Sequence, residues 1–213
     1  DPGALAGLRP GLEGECAGRE SVVPWGRAAL DCGADLGVCS TSALTDDAIL
    51  PDLLARAQAA GRQVVIPPGA LAGVDALAAA GRLGLDAVRH EIVKPGRAWA
   101  GTPAEALCDL AALTGAHTFF EGTAREAAAR FPQNANVAVI AALAGLGLDR
   151  TQVALTADPG ASLNRHRLTA TGDFGRLDCT VENRPLATNP KSSELVALAV
   201  VRMIEGRAGA LVL

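Results

Sequence analysis

Short apolar runs alternate with helix-patterned stretches through the first third of the chain, and past Gly84 that alternation stops. Ala34 to Cys39 contains an apolar run that ends in the small polar cluster Ser40-Thr41-Ser42. A helix is predicted next, capped by Thr45 or Asp46, with Ile49, Leu50, Leu53, Leu54 and Ala57 on one face and Gly61 as its stop. Gln63 to Ile66 reads as a second short strand broken by Pro67-Pro68-Gly69, and an Ala-rich helix is expected from about Ala70 to Arg82. Strand, helix, strand, helix with short connections is the pattern of a parallel sheet covered by helices.

Beyond Gly84 the period changes. Leu85 to Val93 alternates, with Val88, His90 and Ile92 on one face and Arg89 and Glu91 on the other. Thr102-Pro103-Ala104-Glu105 is a capping-box sequence with Pro at the first helical position and predicts a helix to about Leu113. A strand at His117 to Phe120 precedes helices at Thr123 to Phe131 and Asn136 to Leu146. Three extended segments follow, Gln152 to Thr156, His166 to Thr171 and Phe174 to Val181, the last two joined through Gly172-Asp173 as a hairpin. A polar connection at 183–193 leads into a helix from about Ser192 to Glu205, whose Leu195, Val196, Ala199, Val200, Met203 and Ile204 recur in steps of three and four. Neighbouring strands of this kind predict a mixed or antiparallel sheet backed by helices. An α/β piece followed by an α+β piece is the layout of a two-part enzyme with its ligand between the parts.

Composition narrows the function. Apolar residues make up 49% of the 213 and charged residues 20%, which supports a packed core and excludes disorder as the dominant state. A formal charge of −4, no basic run, and 3% aromatics without Tyr provide neither a phosphate-attracting field nor a stacking platform, so no nucleic-acid partner is expected. The longest apolar stretch, Val137 to Leu148, falls short of the ~20 residues a bilayer needs, so no membrane partner is expected either. Five scattered cysteines, with no CxxC and no Cys/His cluster, predict no metal site, no disulfide framework and a reducing, cytoplasmic setting.

Five constellations can carry chemistry, and each has a bland reading beside the functional one. Gly145-Leu146-Gly147 has two glycines of a phosphate-cradling loop, but Arg150 replaces the third and a helix precedes it, so it reads as a helix stop. His166 shares the apolar face of its strand with Leu168 and Ala170; it is either a core histidine or a general acid/base, with Asn164 placed to orient substrate or ring. Asn134 and Asn136 precede an apolar helix as caps, or as carboxamides that orient a nicotinamide or an amino acid. Glu121 to Glu126 forms a strand-to-helix turn, ordinary or anion-holding. Lys191 stands beside a helix start, in a plain connection or facing a carboxylate. His90 and His117 are taken as structural, and Cys39 and Cys179 as small core residues.

Taken in order, these segments resemble one family. Phe120-Glu121-Gly122-Thr123-Ala124-Arg125-Glu126-Ala127, then Phe131-Pro132-x-Asn134-x-Asn136-Val137-Ala138, Asn164-x-His166, Glu182-Asn183-x-Pro185 and Asn189-Pro190-Lys191-Ser192-Ser193 are similar to the L-aspartate dehydrogenases. Pro68-Gly69-Ala70-Leu71-Ala72-Gly73-Val74-Asp75-Ala76-Leu77 and Lys94-Pro95 resemble the same family's middle section, and the similarity covers roughly Cys32 to Ile204. The resemblance implies a partial Rossmann-like parallel α/β unit and an α+β catalytic domain. The expected boundaries are 1–69 for the remainder of the dinucleotide-binding domain, 70–190 for the catalytic and dimerisation domain, and 191–213 for a C-terminal helix and tail packing back on the α/β part. It implies oxidation of L-aspartate by NAD or NADP to iminoaspartate, hydrolysed to oxaloacetate and ammonia and feeding NAD synthesis, in a homodimer.

By the same resemblance His166 falls on the catalytic histidine, and Ala70 and Asn136 fall on positions contacting the dinucleotide. Asn164 and Lys191 are the weaker substrate-binding candidates, Lys191 as a counter-charge for one carboxylate. Family members open with a strand, a GxGxxG loop and a helix that are not found in these residues, so the chain taken alone is expected to hold cofactor poorly and to leave a sheet edge exposed. The alternatives are a two-domain dehydrogenase or reductase on another amino or oxo acid, and a non-catalytic dimeric module.

Overall fold

The computed structural model describes residues 1–132 and 134–212, excepting the side chains of Pro190 and Lys191. Two compact units emerge, Asp1–Pro67 with Val200–Leu213, and Pro68–Ala199.

In the first unit, α1 (Leu5–Leu8), β1 (Leu12–Glu15), α2 (Val22–Asp31), β2 (Asp35–Val38), α3 (Ile49–Ala60) and β3 (Val64–Val65) follow one another. The strands form a parallel sheet in the order β1-β2-β3. All four residues of the central β2 are buried, as a strand covered on both faces must be. Close approach needs small residues here. A Cβ at Gly26 of α2 would stand 2.8 Å from a Leu36 methyl and 3.1 Å from a Leu53 methyl. One at Gly37 of β2 would meet the Met203 methyl at 2.6 Å. Gly61 ends α3 in the left-handed conformation at φ 63°, as the sequence predicts. Asp35 ties the far end of the sheet: its carboxylate accepts from the Gln63 amide at 2.8 Å and pairs with Arg207 at 2.9 Å.

The second unit runs α4 (Val74–Ala80), β4 (Leu85–Lys94), β5 (His117–Thr123), α5 (Ala124–Arg130), α6 (Asn136–Ala144), β6 (Gln152–Ala157), β7 (Asn164–Gly172), β8 (Gly175–Asn183), β9 (Pro185–Leu186), β10 (Asn189–Ser193) and the start of α7 (Glu194–Ala208). Its five-stranded sheet has the order β5-β6-β4-β7-β8; β4 and β6 are parallel and the other pairs antiparallel, the mixed sheet expected. Period-2 burial gives the sheet two unlike faces. Val88, His90 and Ile92 of β4 and His166, Leu168 and Ala170 of β7 are buried. The intervening Arg89, Glu91 and Arg167 join Asp178 and Glu121 in ion pairs such as Arg167–Asp178 at 2.8 Å and Arg89–Glu121 at 2.6 Å. Helix α6 is apolar all round and buried from Val137 to Ala142, which suits a helix enclosed by its neighbours. It stops at Gly145, where a Cβ would come within 3.1 Å of Val88 and 3.3 Å of Leu77.

Three expectations need correction. The helix predicted from 102 to 113 is a single 3-10 turn, Pro103–Ala106; the Asp109 carboxylate accepts from the amides of Ala111 and Ala112, a local bond that competes with continuing the helix. The helix expected from Ala70 begins only at Val74, because Gly69 and Gly73 take positive φ values of 62° and 74°. The connection at 183–193 is a small antiparallel pair, β9 with β10, and not a plain loop.

Candidate active site

The buried face of the second sheet concentrates its polar groups at one end. His90 stands opposite Leu168 and Ile92 opposite His166, so the two histidines are diagonal neighbours on adjacent antiparallel strands. Their rings stack with centroids 5.4 Å apart and planes inclined by 29°, and His90 Nε2 lies 3.2 Å from His166 Nδ1. His90 is fully buried and His166 is 3% exposed. Two strand residues beyond Ile92 comes Lys94, also buried, whose ammonium donates to Asn134 Oδ1 at 3.1 Å and lies 5.5 Å from the centre of the Trp99 ring.

Burial dominates the electrostatics. It holds the His90 imidazole down to about 3, with the Lys94 charge adding to the effect. His166 is likewise held well below its ordinary value by burial, then by His90 and Lys94. Burial brings the Lys94 ammonium down to about 8. At neutral pH both imidazoles are therefore uncharged. A neutral imidazole has one donor and one acceptor nitrogen, and the shared contact uses His166 Nδ1, leaving Nε2 outside the pair.

Buried carboxamides lie on the neighbouring residues: Asn164 two positions before His166 on β7, Asn134 on Lys94, and Asn183 across from Asn164. Asn164 is fully buried; its Nδ2 donates to Ser193 Oγ at 3.1 Å, while its Oδ1 has no partner among the described residues. Asn134 Nδ2 is likewise buried without one. Asn183, opposite Asn164 in the β7–β8 register, donates through Nδ2 to the Ala70 carbonyl at 3.1 Å. The same segment lies along α6, since a Cβ at Gly69 would stand 3.6 Å from Val137 and 3.4 Å from Ile140. Buried amides left unmatched in this way are expensive unless a ligand completes them.

The candidates from sequence separate accordingly. His166, Asn164, Ala70 and Asn136 all lie in the second unit, with Asn136 half-buried at the first position of α6. Lys191 belongs to β10, but its side chain lies outside the described residues. The turn at Glu121 to Glu126 holds no anion site: Glu126 accepts from the Thr123 amide at 2.7 Å and Thr123 Oγ1 receives the Glu126 amide at 3.2 Å, a closed capping box. Arg125 pairs with Asp149 through two bonds at 2.6 and 3.0 Å. The fold adds two residues to this end of the sheet: His90, which the sequence alone reads as structural, stacks on His166, and Lys94, which it leaves without a site role, meets Asn134. The alternation Val88, His90, Ile92 was itself a signal, and one further step reaches Lys94.

Comparison with known proteins decides the family. The model of the aspartate dehydrogenase C-terminal domain matches residues 75–207. An L-aspartate dehydrogenase from Brucella anthropi is 56% identical over 207 residues, covering 97% of this chain and 77% of that protein. This chain belongs to the aspartate dehydrogenase family. The L-aspartate dehydrogenase of Pseudomonas aeruginosa is 46% identical over 206 residues, again 97% of this chain and 77% of that protein. The crystal structure of aspartate dehydrogenase from Thermotoga maritima superposes with a TM-score of 0.77 at 25% identity, covering 95% of this chain and 77% of that one. Among the described residues no helix is long and apolar enough to cross a membrane, and no group of His, Cys, Asp and Glu is arranged to hold a metal ion.

Proposed function

We propose that this chain carries the catalytic residues of an L-aspartate dehydrogenase, oxidising L-aspartate to iminoaspartate, which water converts to oxaloacetate and ammonia. The observation that carries the reading is the stacked His90–His166 pair, on a buried sheet face whose Asn164 and whose Lys94 partner Asn134 keep unmet bonding capacity. The chemistry that bound NAD or NADP would supply is that of a hydride acceptor for the substrate α-carbon. The residues present fit such a group on one structural ground: the segment carrying Ala70 is anchored through Asn183 and lies along the start of α6, where Asn136 stands. Ala70 and Asn136 are the residues we assign to holding it.

His166 supplies the base. For Nε2 to accept a proton from water, the ring must carry its own proton on Nδ1 and donate it to His90 Nε2, the contact seen at 3.2 Å. Water so activated adds to the imine carbon, and the same nitrogen returns the proton as the carbinolamine collapses and ammonia leaves. Asn164 Oδ1 is an acceptor suited to the substrate amine, and Asn134 Nδ2 is a donor suited to a carboxylate. Lys94 provides the counter-charge for a carboxylate. A bound dicarboxylate would also raise the His166 pKa, because its negative charge opposes that of Lys94, although burial continues to hold the ring below its ordinary value.

We read the working enzyme as a cytoplasmic homodimer whose products feed NAD synthesis, the family pattern. The test mixes enzyme, L-aspartate and NAD or NADP and follows the absorbance of reduced nicotinamide, with sedimentation giving the assembly state. Turnover with L-aspartate is expected. Turnover confined to another amino acid would end the assignment.

A further inference from the structure

The five cysteines are free thiols, and two of them meet. Glu15 stands opposite Val38 in the parallel pairing of β1 with β2. Cys16 and Cys39, the next residue of each strand, therefore leave the sheet side by side, with their sulfurs 3.6 Å apart. Adjacent strands run ~4.8 Å apart, inside the ~4.4–6.8 Å that separates the Cα atoms of a disulfide.

The approach is built in rather than incidental. The Glu15 carboxylate, 2% exposed, accepts from the amides of Ala17 and Gly18 at 2.8 Å each, and from the Ser40 amide at 3.0 Å and its hydroxyl at 3.1 Å. One buried side chain thus fixes the backbone beyond both thiols. Cys16 is exposed and Cys39 half-buried. The remaining thiols are placed otherwise: Cys32 donates to the Ala29 carbonyl at 3.1 Å and Cys108 to the Ala104 carbonyl at 3.7 Å, while Cys179 lies in β8 of the other unit.

We propose that Cys16 and Cys39 are a reversible dithiol modification site that peroxide closes to a disulfide, Cys16 meeting the oxidant and Cys39 resolving it. In the first step the Cys16 sulfur attacks one peroxide oxygen, the O–O bond breaks, and sulfenic acid and water form. In the second the Cys39 sulfur attacks the Cys16 sulfur, the S–O bond breaks, and the leaving hydroxide takes the Cys39 proton as a second water. Two thiols and one hydrogen peroxide become one disulfide and two waters. Burial, then Cys16, Glu15 and Glu13, push the Cys39 thiol up to about 12, so Cys39 is a neutral thiol and the exposed Cys16 is the point of entry. A disulfide carries no charge and is compatible with that acidic surrounding. The cross-link joins the carboxyl ends of two parallel strands, the edge at which open α/β sheets take their ligands. The inference is independent of the activity proposed above.

The test treats the reduced, full enzyme with stoichiometric hydrogen peroxide, alkylates under denaturing conditions and maps the peptides. The expected result is loss of two thiols, a mass lower by about 2 Da, a peptide joining Cys16 to Cys39, and recovery of both thiols with dithiothreitol. In Cys39→Ser the oxidation should halt at a sulfenic acid on Cys16 that dimedone traps, and Cys16→Ser should leave Cys39 reduced. Retention of both thiols in the wild type overturns the proposal, as does a disulfide that joins two chains or spares either residue. Because the readout is mass and connectivity, it stands whether or not the enzyme turns over aspartate.

Discussion

His90 Nε2 and His166 Nδ1 lie 3.2 Å apart within a stacked pair that is almost sealed from solvent, diagonal across the β4–β7 register. In the proposed mechanism this contact makes His90 the positioning partner of His166. Replacing His166 by Ala should lower kcat by ~10²–10⁴-fold, the range of a placed acid/base group, and leave dinucleotide affinity nearly intact. Steady-state kinetics with a separate cofactor titration checks this, and wild-type turnover in the variant would remove the acid/base role.

The same pair should make the protein sensitive to acid. Both imidazoles have folded pKa values far below the unfolded 6.5, His90 at about 3. As pH falls below 6.5 the unfolded chain binds two protons that the folded chain refuses, so stability drops with falling pH. Each buried histidine adds a slope approaching about 1.4 kcal/mol per pH unit below pH ~5.5. Urea unfolding between pH 4.5 and 7 should show this slope, and His90→Phe should reduce it by one proton. An unchanged slope in that variant would mean that His90 titrates normally.

Much of this scaffold can be read in the residues, and what cannot has a physical reason. Alternation around His90 and the turn at Gly172-Asp173 gave β4 and the β7–β8 hairpin, with Gly172 opposite Gly175. Strand β1 was missed because Leu12–Glu15 has no apolar alternation and its buried residue, Glu15, is there to receive backbone amides. The contact of His90 with His166 depends on strand register, which a single strand's periodicity does not contain. Lys94 falls one residue past the strand predicted from Leu85 to Val93; only the fold shows it buried against Asn134 and Trp99.

Asn183 links the cofactor candidate to the sheet through its bond to the Ala70 carbonyl at 3.1 Å. Asn183→Leu should strand that buried carbonyl at a cost of about 1–3 kcal/mol and loosen the 69–73 turn. The expected kinetic signature is a KM for the dinucleotide raised several-fold with kcat near wild type. A raised KM for aspartate with cofactor KM unchanged would assign Ala70 to the other ligand.

Burying the Lys94 ammonium is costly, and the role proposed for it is that of a counter-charge to substrate. Its folded pKa of about 8 lies below the ordinary 10.5, so the folded chain disfavours the charge. Below pH 8 folded and unfolded chains both hold the proton, and the folded state carries the full cost, about 3 kcal/mol. Between pH 8 and 10.5 the unfolded chain keeps a proton that the folded chain has released, so stability rises with pH. Lys94→Met should abolish that rise and stabilise the protein at pH 7 by about 1–2 kcal/mol, the loss of the donor to Asn134 Oδ1 offsetting part of the gain. The same variant should lower kcat/KM for L-aspartate at least ~10-fold, because a desolvated counter-charge for carboxylate is gone. Paired unfolding curves at pH 7 and pH 9.5, with kinetics at pH 7, check both halves. A variant that is less stable and equally active would show that Lys94 is a structural cation, held for its contacts with Asn134 and Trp99 alone.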